Sequence, residues 1–505
     1  MKKLYYLLFA FATVFTACDV EDGEDGKDFT PEEKVLIPLT ESVVPTSVFT
    51  NVMSGVELKM IMTSQDILPS DSSFVYGSYT DGMALYPNAD DTTYALVVNL
   101  ERDYSIARIR LNQNMEPLEG DYIVNAFATG FTAQCSGSSV TVEEHGFGPL
   151  YLSGGEWGGD NKGVYVVDPF KSPNDASVAT RSSAMGEWST ENAVVIGKNA
   201  YEDYTVAFIG DDDSNDDYPE GHLGMYVGRP GNLFGGDLFV LKGSNPTETA
   251  PGAGGQLFEM GMEEGVEYDA EWVEMSERTI SELNQEAIDA SAIGFQRIED
   301  IDWRRGSAAN ERTIFFCVTG REKEAALADR GTTYGRVYMV TLNDTDPTGT
   351  CKITCILDGD NASGIAAGFH SPDNILVTEN YVYIQEDPNG YRDAATNGWA
   401  KLYQYDIAAG TLSTVLECNE DDADVKTLYG GGGKWEVTGM IDVTDIIDAD
   451  EPTFLCGVQV HGWEQDKIET AVRADGKPFV DLTAIPEGMS DLEGSFLFKI
   501  TGLGR

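Results

Sequence analysis

The sequence predicts an all-β protein, a β-propeller with six blades favoured, interrupted by a helical insertion around residues 270–290. Three observations carry this. Short apolar runs recur between clusters of Gly, Asn, Asp and Pro, which is the rhythm of antiparallel strands and tight turns. A phrase repeats weakly along the chain, as Gly163-Val-Tyr-Val-Val-Asp168, Gly335-Arg-Val-Tyr-Met-Val340 and Lys401-Leu-Tyr-Gln-Tyr-Asp406. Finally, roughly 450 residues at about 40 to 75 per blade allow six or seven blades.

In chain order, the first segment reads as an export signal, residues 1–17. Lys2 and Lys3 supply its positive end, and Leu4 to Phe15 an apolar stretch too short to span a bilayer. Phe15-Thr16-Ala17-Cys18 then resembles a bacterial lipoprotein box, with Phe15 in place of an aliphatic residue. Cys18 becomes the lipidated first residue of the mature chain. Asp19 to Asp28 is acidic and contains glycine, so residues 18–50 read as a solvated tether. It is similar to the tethers that direct lipoproteins of Bacteroidetes-type bacteria to the cell surface. The expected location is therefore the outer membrane, exposed at the surface or facing the periplasm, with N-terminal lipid as the membrane attachment.

Residues 51–505 form the propeller. Expected strands include Thr93 to Leu100, Gly163 to Val167, Ala193 to Ile196, Thr205 to Ile209, Leu238 to Leu241, Thr313 to Val318, Arg336 to Leu342, Tyr381 to Gln385, Lys401 to Tyr405 and Phe454 to Val460. Gly252 to Gly255 reads as a loop. Ala270 to Ala290 reads as one amphipathic helix with Trp272, Met275, Ile280, Leu283 and Ile288 towards one face.

The chain carries 85 acidic against 33 basic residues, a net charge of −52. Such a field repels nucleic acid and anionic membranes. It suits a soluble surface, and some of its carboxylates suit calcium, which takes six to eight oxygen ligands. A monomer is expected. The cysteines after Cys18 lack zinc-ribbon spacing. Cys317, Cys351, Cys355 and Cys456 lie in apolar runs and read as buried small hydrophobes.

Several phrases occur in order along half the chain. They are Gly148-Pro-Leu-Tyr-Leu-Ser-Gly-Gly-Glu-Trp157, Trp188-Ser-Thr-Glu-Asn-Ala193, Ile209-Gly-Asp-Asp212, Phe295-Gln-Arg-Ile-Glu-Asp-Ile301, Phe369-His-Ser-Pro-Asp-Asn374 and Tyr383-Ile-Gln-Glu-Asp-Pro388. Together they resemble the PhoX-type alkaline phosphatase family, with Thr190 where the family has histidine. The resemblance implies a propeller holding calcium and ferric iron at its axis, with glutamates and a cysteine as ligands, and hydrolysis of phosphate monoesters. It implies metal-ligand roles for Glu156, Glu191 and Glu299. Asp211, Asp212, Asp373, Asn374, Glu386 and Asp387 follow as calcium ligands or loop braces. Cys135 fits two readings, an iron thiolate or an inert buried thiol. Arg297 is the phosphate contact, because guanidinium binds phosphate oxygens through paired hydrogen bonds; a structural ion pair is the competing reading.

Other patterns fall short. A calcium loop beginning at Asp211 has Asp216 where glycine is required and His222 where glutamate is required. Gly430-Gly-Gly-Gly-Lys-Trp435 lacks the Ser or Thr of a phosphate-binding loop. The iron-bearing members of the family leave the cytoplasm through a twin-arginine signal, and Lys2-Lys3 offers none. Calcium loads readily outside the cell; iron is the less secure metal. The competing functional reading is a non-catalytic, calcium-stabilised propeller that binds a glycan or protein, with Trp157, Trp188, Trp399 and Trp463 as aromatic platforms.

Overall fold

The computed structural model describes residues 35–89, 91–213, 215, 218–244, 258–321, 330–388, 398–429, 435–464 and 493–505. The signal segment, Cys18, the first part of the tether, the Gly252–Gly255 loop and Gly430–Lys434 lie outside the described residues. One compact unit spans Ile37–Arg505. Val44, Val48 and Phe49 are buried in it, so the tether expected to reach residue 50 gives way to packed chain by Val44.

Strands β1 (Phe49–Thr50) and β2 (Glu57–Thr63) come first. An antiparallel meander follows, β3 (Thr80–Pro87), β4 (Tyr94–Leu100), β5 (Ser105–Leu111) and β6 (Pro117–Val124). The next is β7 (Thr132–Val140), β8 (Leu150–Gly158) and β9 (Gly163–Val167). Then come β10 (Thr190–Val195), β11 (Thr205–Asp211), β12 (Leu223–Gly228), β13 (Asp237–Gly243) and β14 (Glu267–Met275). A fourth meander contains β15 (Ile298–Trp303), β16 (Thr313–Val318), β17 (Arg336–Thr341) and β18 (Cys351–Asp358). β14 pairs with β18 and fuses these two meanders into a nine-stranded sheet. β19 (Pro372–Val377), β20 (Tyr381–Glu386), β21 (Lys401–Asp406) and β22 (Thr411–Cys418) form the fifth, and β1 adds to its edge. The last holds β23 (Glu436–Asp442), β24 (Thr453–Glu464) and β25 (Glu493–Thr501), closed by β2.

The sheets are arranged as in a propeller. The first strand of each meander packs beside the first strand of the next, in the cycle β3, β7, β10, β15, β19, β23 and back to β3. The core lies between adjacent sheets. Tyr86 and Val97 meet Tyr151 and Tyr165 at one interface, Leu152 and Val164 meet Ile209 and Val240 at the next. Phe208 and Met225 share a cluster with Phe316 and Tyr338, and Phe315 and Cys317 share one with Ile384 and Tyr403. Tyr383 and Leu402 join Phe454 and Phe496, while Leu455 and Leu497 return to Leu96 and Ile109. Each sheet is thus apolar on both faces, which explains the near-continuous apolar runs of its strands.

The single helix expected over 270–290 is two elements. Trp272 and Met275 belong to β14, in which Ala270, Trp272 and Met275 are the buried residues. The helix is shorter, Ile280–Asp289, and buries Leu283, Asn284 and Ala287. Glu267, Asp269 and Glu271 occupy alternate, more exposed positions of a strand, a spacing that a helical reading masks. All six cysteines in the described residues are free and buried. Among the described residues no helix is long and apolar enough to cross a membrane.

Candidate metal centre

Every inner strand carries a break in pairing register. The breaks fall between Thr80 and Met83, Gln134 and Gly137, Thr190 and Ala193, Ile298 and Ile301, Pro372 and Ile375, and Thr438 and Met440. A bulge leaves residues outside the ladder and redirects their side chains. The residues released are Asp81-Gly82, Cys135-Ser136, Glu191-Asn192, Glu299-Asp300, Asp373-Asn374 and Gly439. Two glycines are dictated by contact. A Cβ on Gly82 would lie 1.9 Å from the Gly137 nitrogen, and one on Gly439 would lie 2.6 Å from the Asp81 carbonyl oxygen.

The first member of each polar pair contributes to two overlapping groups. Ligand atoms of Asp81, Cys135 and Glu191 lie within 4.8 Å of one another, as do those of Glu191, Glu299 and Asp373. All five residues are buried, and Glu191 belongs to both groups. The second members brace the first. Asn374 Nδ2 donates to Asp81 Oδ1 at 2.9 Å and to Ser136 Oγ at 2.6 Å. The Ser136 amide donates to Glu191 Oε1 at 3.0 Å. Asn192 Nδ2 donates to Asp300 Oδ1. Asp300 Oδ2 accepts from the Ile375 amide at 3.0 Å, and Asp302 Oδ2 from the Val377 amide at 2.7 Å. These two carboxylates tie β15 to β19 where no sheet ladder joins them.

Further groups border the pair of clusters. Cys135 Sγ lies 3.1 Å from Glu156 Oε2. Arg297 contacts Asp212 through Nε at 2.9 Å and Nη2 at 2.9 Å, and its Nη2 also reaches Glu299 Oε1 at 2.9 Å. Glu101 accepts from Trp157 Nε1 at 3.0 Å and Gln459 Nε2 at 2.5 Å. Glu436 lies 3.6 Å from His461 Nε2.

Crowding shows in the acidities. Burial, then the charges of Glu101 and Asp212, push the Glu191 carboxyl up to about 8. Burial and Asp212 hold Glu299 well above the usual carboxylate range. Asp373 is raised by burial, Glu436 and Glu191, and Asp81 by burial, Glu191 and Glu101. Burial, Glu101 and Glu191 likewise raise the Cys135 thiol. Acids packed this way share charge only if cations lie among them. The donors fit that requirement. Glu191, Glu299 and Asp373 offer oxygen alone, suited to calcium. The Asp81, Cys135, Glu191 group adds sulfur, which suits a softer transition metal such as iron.

The structure thus brings together Cys135, Glu156, Glu191, Asp212, Arg297, Glu299 and Asp373 from the sequence-predicted set. Asn374 is a brace. Glu386 accepts from the His370 amide at 2.8 Å and lies 3.9 Å from Lys401 Nζ, outside both groups. Asp211 also lies outside them, and its Oδ1 accepts from the Ser189 amide at 3.2 Å. Asp387 is half-buried, and its charge helps to raise Asp373 and Glu436. Thr190, at the histidine position, is buried and donates to the Trp188 carbonyl at 3.2 Å. Asp81, Glu101 and Glu436 were not anticipated. The available signal is an acid released inside an apolar strand, as in Tyr79-Thr-Asp-Gly-Met83. Of the proposed glycan platforms, Trp188 and Trp463 are fully buried and cannot serve.

The family described as alkaline phosphatase PhoX matches residues 161–462, more than half of the chain. The chain belongs to the PhoX alkaline phosphatase family. Among solved structures it is similar to Pseudomonas fluorescens PhoX in complex with vanadate, a transition-state analogue. That match has 14% identity and a TM-score of 0.57, and covers 92% of this chain and 97% of that one. At this identity the likeness concerns the fold. The CNH domain of AfRom2 follows at 9% identity and a TM-score of 0.31, covering 86% of this chain and 98% of that one, a score too low to carry an argument. A comparison with curated proteins finds no match.

Proposed function

We propose that this chain is a calcium-dependent phosphomonoester hydrolase of PhoX type, a six-bladed propeller that accepts iron at the Cys135 group. The six-blade reading rests on the cycle of six inner strands and the six apolar interfaces between sheets. The functional reading is carried by Glu191, a buried carboxylate common to two groups of converging ligand atoms. Family membership and the vanadate described with the Pseudomonas fluorescens relative support a phosphate ester as the substrate.

Asp81, Cys135, Glu156, Glu191, Glu299 and Asp373 would hold the cations, with Asp212 and Asp387 adding negative charge around them. When bound, the cations supply Lewis-acid stabilisation of charge on the phosphoryl oxygens. The remaining work falls to the chain. Asn374 and the Ser136 amide fix Asp81 and Glu191, so the ligands need little reorganisation. Arg297, 30% exposed, is held by Asp212 and Glu299 while its exposed part meets a phosphate oxygen. In this proposal the protein is a monomer anchored by lipid at Cys18 on the outer membrane, and it loads calcium after export.

The test is hydrolysis of an aryl phosphate by full-length mature protein in calcium, with and without added iron. Turnover that a chelator abolishes and calcium restores is expected. No hydrolysis under any metal condition removes the enzyme assignment.

A further inference from the structure

Several inner strands are entered through a residue with left-handed backbone. Tyr79, Phe131, Arg297 and Ser371 have φ of 58°, 61°, 70° and 47°, and they immediately precede β3, β7, β15 and β19 respectively. That conformation is strained for a side chain as bulky as tyrosine. Tyr79, Arg297 and Ser371 also stand at the same distance, two residues, before Asp81, Glu299 and Asp373. The three are equivalent positions on one rim of the acidic centre. In the cycle of inner strands β3 and β15 are three steps apart in either direction, so Tyr79 stands across the axis from Arg297.

The Tyr79 side of the rim is aromatic. The His461 ring lies 4.5 Å from Tyr79, centroid to centroid, and the Glu493 carboxylate accepts from the Tyr79 hydroxyl. Trp157 follows Glu156, whose Oε2 lies 3.1 Å from Cys135 Sγ, and its ring packs on the small apolar cluster that contains Cys135. Trp157 Nε1 donates to Glu101 Oε2 at 3.0 Å, and the Tyr104 ring lies 5.7 Å away, edge-on. The two rings share a neighbour, since the Arg102 guanidinium carbon is 5.8 Å from the centroid of Tyr79 and 5.2 Å from that of Trp157, within cation–π range of both. Tyr79 and Trp157 are half-buried, with part of each residue reaching solvent.

A ring whose orientation is already set loses little freedom when a flat partner packs on it. Apolar contact is also indifferent to the field of a chain with net charge −52, a field that repels any leaving group bearing further acids. With the phosphate held at Arg297, the leaving group has the opposite rim to rest on, where the side chains are rings. We infer that Tyr79, backed by Trp157, is a specificity residue that receives the leaving group, so that phosphate esters with an aromatic ring close to the ester oxygen are preferred to esters of polyols. This rests on the phosphatase reading given above.

The experiment compares benzyl phosphate with glycerol 1-phosphate, both esters of a primary alcohol, in the calcium-loaded, full-length mature protein, for wild type, Tyr79→Phe and Tyr79→Ala. Tyr79→Ala is expected to lower kcat/KM for benzyl phosphate about tenfold, the worth of one aromatic contact. The glycerol ester changes less than about twofold, and Tyr79→Phe, which keeps the ring, retains most of the preference. Equal losses on both esters, or no loss on either, overturn the inference. Tyr79→Leu, which fills much of the same space without a ring, takes the place of Tyr79→Ala if that variant fails to fold, and the same outcomes decide. Should the wild type hydrolyse neither ester, the phosphatase reading fails, and calorimetric titration with benzylphosphonate against methylphosphonate decides the role of Tyr79. Tighter binding of benzylphosphonate by the wild type, lost in the variant without a ring, upholds the aromatic rim. Equal affinity for the two phosphonates, or binding of neither, refutes it.

Discussion

Replacing Glu191 with glutamine should stabilise the cation-free protein and destabilise it relative to wild type once calcium is present. Burial and the charges of Glu101 and Asp212 move this carboxyl from 4.5 to about 8 in the folded state. A folded-state value above the unfolded one means that the contribution to stability is complete below pH 4.5 and disappears as pH rises through about 8. At about 1.4 kcal/mol per pH unit, ionising Glu191 in the empty site costs on the order of 5 kcal/mol. Glutamine has nearly the same shape and never ionises, so it escapes that cost. It also cannot serve as an anionic ligand to both groups. The assay is urea denaturation of wild type and Glu191→Gln at pH 5.5 and pH 9, each with chelator and with calcium. In chelator, wild type should lose stability between the two pH values, while the variant's curve is flatter and lies above it at pH 9. In calcium at pH 9 the order should reverse. The reasoning fails if the variant is no more stable than wild type in chelator at pH 9, or if calcium protects both to the same extent.

Three further outcomes follow from particular contacts. Cys135→Ser should leave calcium content unchanged and abolish iron retention, read by elemental analysis, because the thiol is the only soft donor in either group of ligand atoms. Arg297→Gln strips the partner from Asp212 and Glu299; it should lower kcat/KM for an aryl phosphate at least about tenfold. It should also destabilise the chelated protein by about 2 kcal/mol, less than a fully buried pair would lose because Arg297 is 30% exposed. Gly82→Ala places a carbon 1.9 Å from the Gly137 nitrogen, so β3 and β7 must separate. Thermal unfolding should register a loss of about 2 kcal/mol or more, and calcium affinity measured by titration should fall with it.

Local structure was legible wherever alternation and turn residues set it. β9 and β16 match their expected bounds residue for residue, and the other expected strands differ at their ends. The closure of the ring was not legible, because β2 pairs with β25 and β1 with β22 across nearly the whole chain. No local signal encodes such a partner. Glu156, Glu191, Glu299 and Asp373 were found through phrases shared with a family. Asp81, Glu101 and Glu436 belong to no such phrase, and among 85 acidic residues an isolated acid attracts no notice. What distinguishes them is burial, which depends on the ring being closed. Asn374 and Glu386 suit either role expected of them, ligand or brace: Asn374 Nδ2 braces Asp81 while its Oδ1 is buried with no hydrogen-bond partner, and Glu386 accepts from the His370 amide.

The most direct test of the metal centre is the calcium content of protein purified without chelators, determined by mass spectrometry for wild type and Glu191→Gln side by side. Stoichiometric calcium in the wild type and its loss from the variant is the predicted result. Wild-type protein free of metal, or a variant holding as much as wild type, would contradict it.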